Sequence, residues 1–174
     1  MRVFAETERL ILRELLPTDE AGMFEMDSDP TVHRYLGNKP VTTIEESRAL
    51  IAFVRQQYVD NGIGRWAVED KRTGEFLGWS GLKLVAGPTN GRTAYPDLGY
   101  RFLRRHWGQG YATEAALASL RYGFTTLGLP TICAIADAQN QGSNHVLQKV
   151  GLRFVEAFDL EDVPHNWYEL HRPG

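Results

Sequence analysis

The sequence predicts an α/β domain whose sheet is antiparallel in its first half and contains one parallel pair of strands in its second half. Two patterns carry this prediction. In the first half, alternating segments at residues 65–69 and 76–84 flank a turn sequence, which is typical of a β-hairpin. In the second half, strand patterns at residues 98–102 and 131–136 enclose a helical pattern, and strands joined through a helix run parallel. About seven strands are predicted in total.

The N-terminal segment is predicted to form a strand, a short helix and a turn. Residues 10–13 have the apolar composition of a strand. Pro17 ends this strand, and Asp19 is placed to cap a short helix that runs to Met26. A second short turn follows Pro30.

Residues 43–58 are predicted to form a longer helix. Thr43 and Glu46 have the spacing of a capping box, in which each side chain accepts a hydrogen bond from the backbone of the other residue. Apolar residues recur at helical spacing behind the cap and define the face that packs on the core. These residues are Leu50, Ile51, Val54 and Tyr58.

The rest of the chain is predicted to alternate between helices and strands. Residues 86–96 are rich in glycine, proline, threonine and asparagine and are predicted to form an exposed loop. A helix is predicted over residues 111–127, and a shorter one over 143–150. Two final strands at 153–159 and 166–171 complete the sheet. The apolar face of the first of these helices is predicted at Leu117, Leu120, Phe124 and Leu127.

Length, composition and charge exclude several classes of protein. The chain has 174 residues without a repeat or linker, so residues 1–174 are predicted to be a single domain. The longest apolar run is six residues, whereas a membrane helix needs about 20. One cysteine, Cys133, excludes an internal disulfide and suits a reducing cytoplasm. A net charge of −3 argues against non-specific nucleic-acid binding.

One segment, residues 97–115, carries a pattern with chemical meaning. It predicts a strand, a loop with Gly108 and Gly110, and the start of a helix. Glycine lets a ligand approach the backbone, and the free N–H groups and dipole of a helix N-terminus attract an anion. This combination predicts a pyrophosphate site, although a tight turn that needs two glycines for its geometry is the alternative.

The residues around this loop favour an anion site and exclude two common phosphate-binding motifs. Between Asp97 and Glu114 there is no acidic residue, whereas Arg101, Arg104 and Arg105 are all present, so a positive patch is predicted beside the glycines. The P-loop pattern is missing, and Thr113 stands where a Rossmann fingerprint needs its third glycine.

Several segments together resemble the GNAT acyltransferase superfamily, and in particular its RimJ/RimL-like branch. The stretch DLGYRFLRRHWGQGYATEA resembles motif A, with Q/R-x-x-G-x-G/A read either from Arg105 or, with tryptophan in the first position, from Trp107. TERLILREL and EFLGWSGL resemble strands of that branch. DAQNQGSNHVLQKVGLRF matches N-x-x-S-x-x-x-x-x-K-x-G. The resemblance implies a GNAT fold, with helices on both faces of a mostly antiparallel sheet and a splayed parallel strand pair at the coenzyme A site.

The resemblance also implies an acetyl-CoA-dependent N-acetyltransferase without a metal. The pyrophosphate would bind backbone N–H groups of residues 107–112, and the pantetheine would pair with the strand edge at 100–103, where an N–H near Phe102 polarises the thioester carbonyl. The amine acceptor is a protein N-terminus or a small molecule such as an amino acid, polyamine or antibiotic. The cofactor-binding residues so implied are Tyr100, Phe102, Leu103, Arg104, Arg105, Trp107, Gly108, Gln109, Gly110, Tyr111, Ala112, Thr113, Asn140, Ser143 and Lys149.

Two residues are candidates for proton transfer. Leu147 stands where much of the superfamily has a tyrosine acid, and by resemblance Ser143 is the proton donor instead. The alternative is that Ser143 only caps the last helix. Asp97 is the candidate base, with a strand-edge carboxylate or a water relay as alternatives.

Competing functional classes stay open at this point. The missing tyrosine at position 147 permits a non-catalytic domain that binds acyl-CoA, and a nucleotide-binding dehydrogenase is a distant third interpretation. Nucleic acid and membranes are not expected as partners. The sequence does not choose between a monomer and a homodimer.

Overall fold

Eight strands form one sheet in the computed structural model, which describes residues 1–174. The strands are β1 (Val3–Glu6), β2 (Leu10–Glu14), β3 (Trp66–Asp70), β4 (Phe76–Val85), β5 (Tyr95–Phe102), β6 (Thr131–Asp137), β7 (Arg153–Leu160) and β8 (Val163–His171). Their order across the sheet is β1-β2-β3-β4-β5-β6-β8-β7. The helices are α1 (Glu20–Asp27), α2 (Pro30–His33), α3 (Ile44–Asn61), α4 (Tyr111–Arg121) and α5 (Gln141–Lys149).

One pair of neighbouring strands is parallel, and it lies in the middle of the sheet. β5 and β6 are joined through α4 and share a single registered pair, Asp97 with Cys133. All other neighbours are antiparallel. Because no register follows Asp97, the two strands diverge toward their C-terminal ends. The predicted mixed sheet with a splayed parallel pair is therefore confirmed.

Helices cover both faces of the sheet, as predicted. Trp66 and Val68 pack in one cluster with Ala115 of α4. Between them in sequence, Ala67 packs with Ile51 and Val54 of α3. This alternation places α1 to α3 on one face and α4 with α5 on the other, because successive strand residues point to opposite faces.

The capping box predicted the start of α3 correctly. The Glu46 carboxylate accepts hydrogen bonds from the backbone N–H groups of Thr42 and Thr43 at 2.7 and 3.0 Å. The helix ends at Gly62, whose φ of 74° is the left-handed conformation that glycine adopts readily. It therefore runs a few residues beyond the predicted end at Tyr58.

Four local predictions need correction. The strand β1 was not predicted, because it is short, lies at the sheet edge and buries neither of its ends. Asp19 is the N-cap residue of α1 as predicted, but its side chain makes no capping hydrogen bond to that helix; it accepts from the Leu16 N–H at 2.8 Å and pairs with Arg13. The loop after β4 ends at residue 94, since β5 already begins at Tyr95.

The fourth correction concerns the buried face of α4. Leu117 is 47% exposed, although its spacing predicted a core position. Leu120 is buried as predicted, and the rest of the buried face consists of small residues that let α4 lie close to β4 and β5. The buried residues are Ala115, Ala116, Ala118, Ser119 and Leu120. Beyond Arg121 the helix continues as a π-helical turn, Tyr122–Thr126.

No helix in the chain combines the length and the apolar character that crossing a membrane requires.

Candidate active site

The divergence of β5 from β6 opens the sheet and leaves backbone groups without a partner strand. On the β4 side, β5 is paired along its whole length, whereas on the β6 side the register stops at Asp97. A cavity of about 840 Å³ lies at this split. It is lined by residues 98–101 of β5 and 135–137 of β6, together with Ser143 and Leu147 of α5. The free edge can pair with an extended ligand as an added strand would.

The glycine loop leads directly into α4. Gly108 and Gly110 have φ values of 75° and 81°, which are left-handed conformations. Gly110 is the N-cap residue, and no side chain caps the helix. The N–H groups of its first turn, formed by Tyr111, Ala112 and Thr113, are therefore free to bind an anion. These groups suit a pyrophosphate, and the pyrophosphate site itself stays a prediction.

Arg9 supports this loop from the β1–β2 turn, and sequence reasoning missed it. Its Nη1 donates to the Gln109 carbonyl at 2.8 Å, and its Nε donates to Glu114 at 2.7 Å. The guanidinium also lies 4.5 Å from the ring centroid of Tyr111. The contacting residues are about a hundred positions apart, so no local sequence pattern predicts these contacts.

The predicted positive patch is largely neutralised, so this expectation was wrong. Arg101 pairs with Asp27 at 2.7 Å, and Arg104 pairs with Asp29 at 3.2 Å. Arg105 pairs with Glu25 and with Glu75, the latter at 2.9 Å. All these acids come from segments distant in sequence. The pairs of Arg104 and Arg105 are exposed and weak, so both side chains stay able to turn to a phosphate.

Ser143 is not a helix cap, which corrects that alternative. Asn140 is the N-cap of α5, and its Oδ1 accepts from the Ser143 N–H at 3.2 Å. The Ser143 Oγ lies 3.1 Å from the Tyr100 hydroxyl, which also donates to the Ser143 carbonyl at 3.1 Å. Burial raises the pKa of Tyr100 to about 12, so this phenol stays neutral at ordinary pH. Leu147 is buried beneath Ser143 and lines the cavity with a side chain that cannot donate a proton.

Asp97 lies inside the sheet, so the strand-edge interpretation was wrong. The residue is 7% exposed, and its Oδ2 accepts from Arg65 Nη2 at 2.7 Å. Its Oδ1 is buried and has no hydrogen-bond partner. Arg65 Nη1 also donates to the carbonyls of Asp97 and Gly81, at 2.6 and 2.7 Å. Burial lowers the pKa of Arg65, and the attraction of Asp97 opposes that change.

Glycine makes room for this ion pair. Cross-strand neighbours Gly81 and Gly99 face each other on β4 and β5. A Cβ on Gly99 would lie 2.6 Å from Nη2 of Arg65, so the guanidinium occupies the space that a side chain would need. The sheet face between α3 and the β7–β8 turn, which we call the cavity floor, carries Arg65 over Gly99, with Asp97, Trp79, Lys83 and Arg101 on the same face.

One wall of the cavity is mostly apolar, and the other carries both apolar and polar side chains. Tyr35 and Leu36 follow α2, and Leu50 and Phe53 project from α3. The opposite wall is the β7–β8 turn, with Leu160, Glu161, Val163 and His165. On the floor, the Trp79 ring lies about 5 Å from both the Arg65 and the Arg101 guanidinium carbons, at 5.2 and 5.1 Å.

The remaining predicted residues are placed as follows. Phe102 and Leu103 are buried, and the Phe102 carbonyl accepts from the Trp107 indole N–H at 2.9 Å. Lys149 is exposed in the last turn of α5. Burial raises the pKa of the Cys133 thiol to about 12, which makes it unreactive at ordinary pH. No three histidine, cysteine or acidic side chains come together as metal ligands would.

The chain thus combines a sheet opened between two parallel strands with a helix N-terminus that suits a pyrophosphate. A family model described as "Acetyltransferase (GNAT) domain" matches residues 9–153. The chain therefore belongs to the GNAT acetyltransferase family, and it is an acyltransferase. The GNAT fold uses acetyl-CoA as its acyl donor.

Known proteins similar to the chain include relatives in bacteria and fungi. It is 33% identical over 148 residues to the uncharacterized N-acetyltransferase YoaA of Bacillus subtilis, covering 85% of this chain and 81% of that one. It is 31% identical over 172 residues to the FsC-acetyl coenzyme A-N(2)-transacetylase of Aspergillus fumigatus, covering 97% of this chain and 70% of that one. RimL, a ribosomal-protein acetyltransferase solved with coenzyme A, aligns with a TM-score of 0.76 at 15% identity, covering 98% of each chain. The RimJ/RimL-like resemblance is thus confirmed for the fold.

Proposed function

We propose that the protein transfers an acetyl group from acetyl-CoA to the primary amine of a small molecule held on the cavity floor. One observation carries this proposal. The split between β5 and β6 and the floor beneath α3 belong to the same cavity of about 840 Å³, so donor and acceptor can meet inside it. A volume of this size suits small ligands. The reaction is proposed to take place in the cytoplasm, in keeping with the free thiol of Cys133.

The chain offers two surfaces for acetyl-CoA. The free N–H groups from residue 108 to residue 113 would hold the pyrophosphate; the Trp107 N–H, which the sequence also suggested, instead donates to the Arg104 carbonyl at 3.0 Å. Arg104 or Arg105 would assist by leaving their exposed ion pairs. The unpaired edge of β5 at Tyr100 and Phe102 would hold the pantetheine, with Asn140 beside it. Acetyl-CoA supplies the acetyl thioester.

The same cavity holds groups suited to the two proton transfers. Asp97 Oδ1 has no donor, and it can receive the proton that the acceptor amine loses, directly or through water. The Ser143 hydroxyl can give a proton to the departing thiolate. Tyr100, neutral and 3.1 Å from the Ser143 Oγ, orients that hydroxyl.

The choice of a small-molecule acceptor rests on a relative and on the cavity walls. The relative named "FsC-acetyl coenzyme A-N(2)-transacetylase" aligns with 97% of this chain, and its name refers to a nitrogen N(2) and not to a protein N-terminus. Walls from α3, the segment after α2 and the β7–β8 turn bound the floor on several sides.

A protein N-terminus is the second candidate acceptor. Leu36 and Phe53 line the cavity and are 43% and 63% exposed, so they can contact the side chains that follow a peptide N-terminus. A non-catalytic acyl-CoA-binding domain is the third candidate, since Leu147 provides no acid.

Thiol release from acetyl-CoA distinguishes these candidates. The purified protein is incubated with acetyl-CoA and a panel of small amines, and separately with N-terminal peptides, while calorimetry on the same preparation confirms that acetyl-CoA binds. We expect release with small amines. Release with peptides alone would favour the second candidate, and binding without any release would contradict catalysis.

Ser143→Ala is expected to lower kcat by about 10- to 100-fold while the Kd for acetyl-CoA changes less than about threefold, because general acid catalysis contributes at this scale. Steady-state kinetics and calorimetry measure the two quantities. Tyr100→Phe removes the hydroxyl that orients Ser143 and keeps the serine, so it is expected to lower kcat less than Ser143→Ala does. Equal kcat for Ser143→Ala and the wild type would exclude Ser143 as the proton donor.

A further inference from the structure

Lys83 is a cation on the cavity floor that has no role in the proposed chemistry. It lies on β4 directly opposite Asp97 of β5, so both side chains are on the sheet face that also carries Trp79 and Arg101. Lys83 lines the cavity and is half-buried. Its ammonium makes no hydrogen bond and no ion pair within the chain, unlike its cationic neighbours.

The charges around Lys83 do not balance. Arg65 is paired with Asp97 at 2.7 Å. Arg101 is paired at 2.7 Å with Asp27, which is also 3.2 Å from the His33 Nε2. Each carboxylate of the floor is therefore already engaged by an arginine, and Lys83 adds one uncompensated positive charge.

Burial makes this imbalance costly. Desolvation lowers the pKa of Lys83, the nearby positive charge of Arg65 lowers it further, and Asp97 opposes the change. A half-buried ammonium without a partner is stabilised by an anion that enters the cavity. The other acids that line the cavity, Asp137 and Glu161, belong to the opposite wall on β6 and the β7–β8 turn.

We propose that Lys83 binds a carboxylate of the acetyl acceptor. This inference rests on the proposed function and names its substrate class. Residues directly opposite each other on antiparallel strands have Cα atoms only about 4.5–5.5 Å apart. An acceptor whose ammonium approaches Asp97 and whose carboxylate approaches Lys83 therefore has these two groups a few bonds apart. The acceptor class is an amino acid or a compound with an amino-acid end.

Pairs of acceptors that differ only in the anionic group test this assignment. The twenty L-amino acids and their carboxamides are assayed as acceptors by thiol release, and aminoalkyl phosphonates form a third arm that separates carboxylate from phosphate-like recognition. The proteins are the wild type, Lys83→Met, Lys83→Arg and the control Lys39→Met, whose lysine is exposed and does not line the cavity. Binding of the same compounds to the protein saturated with coenzyme A is measured by calorimetry.

We expect wild-type kcat/KM to be at least about tenfold higher for the best amino acid than for its carboxamide, as the loss of one charge-assisted hydrogen bond predicts. Lys83→Met should remove this preference, Lys83→Arg should retain part of it, and Lys39→Met should not change it. The Kd for acetyl-CoA should stay unchanged in all four proteins. A phosphonate preferred over its carboxylate counterpart would overturn the assignment to a carboxylate.

The same assays distinguish an error in the carboxylate site from an error in the proposed function. If carboxamides are acetylated as well as the acids, and Lys83→Met affects both equally, the carboxylate site is wrong while the transferase stands. If no amine gives thiol release, the proposed function fails, and calorimetry then decides the question for Lys83. Carboxylate-selective binding that Lys83→Met abolishes supports the site, and its absence overturns the site.

Discussion

A Gly110→Val variant is expected to bind acetyl-CoA at least about 100-fold more weakly than the wild type, a loss that corresponds to two charge-assisted hydrogen bonds. Gly110 has a φ of 81° and is the N-cap of α4. A β-branched residue is strained in this conformation, so the loop must change shape. Its Cβ would also lie 3.3 Å from Arg9 Nη2, on the guanidinium whose Nη1 bonds the Gln109 carbonyl. Calorimetry with acetyl-CoA measures the loss.

The matched control for this variant is Gly74→Val. Gly74 lies in the β3–β4 turn with a φ of 74°, and a Cβ there meets no atom within 4 Å. It therefore imposes a similar backbone strain away from the cavity. Circular dichroism and urea unfolding confirm that both variants fold. Wild-type affinity in a folded Gly110→Val protein would show that the glycine loop does not bind the pyrophosphate.

Arg65→Met is expected to lower the free energy of unfolding by about 3–5 kcal/mol, the scale for breaking a buried ion pair from one side. The substitution leaves the Asp97 carboxylate buried without its cation, and it removes the donor to the Gly81 and Asp97 carbonyls. Uncompensated buried groups of this kind cost more than the pair contributes when intact. Urea unfolding measures the change.

Two further variants separate the charge from the packing. Arg65→Met/Asp97→Leu removes both charges, so it should recover part of the lost stability. Arg48→Met removes a more exposed pair, with Glu20 at 2.6 Å, and should change the free energy of unfolding much less than Arg65→Met does. An Arg65→Met variant as stable as Arg48→Met would contradict the interpretation of Arg65 and Asp97 as a buried pair.

Most of the fold follows from patterns that are local in the sequence. The capping residues Thr43 and Glu46, the alternation in β3 and β4, and the crossover through α4 each depend on neighbours a few residues away. The strand β1 was not predicted, because a four-residue edge strand is too short to show an alternation of apolar and polar residues. The start of α5 was placed at Ser143 because serine is a good cap, whereas Asn140, an equally good one, begins the helix earlier.

The site was predicted less completely, because its electrostatics depend on distant partners. The glycine loop and the free helix N-terminus are encoded within residues 107–113, and the sequence predicted them. Arg101 and Arg105 pair with carboxylates that are 74 and 80 positions away in the sequence. The basic segment is therefore largely neutralised in the structure, which its own sequence does not indicate. No sequence pattern identified Lys83, because its lack of an ion-pair partner is visible only in the structure.

The close fit of Arg65 over Gly99 constrains the order in which this cavity can evolve or be redesigned. A Cβ at position 99 would lie 2.6 Å from Nη2 of Arg65, so a side chain there requires the guanidinium to move or position 65 to shorten. Either change breaks the bond that Arg65 makes to the buried Asp97. The floor therefore changes only through coordinated substitutions at several positions, whereas Tyr35, Leu36 and Phe53 can vary one at a time. Acceptor preference among homologues is expected to diverge at these wall positions, and libraries that seek new acceptors should begin there.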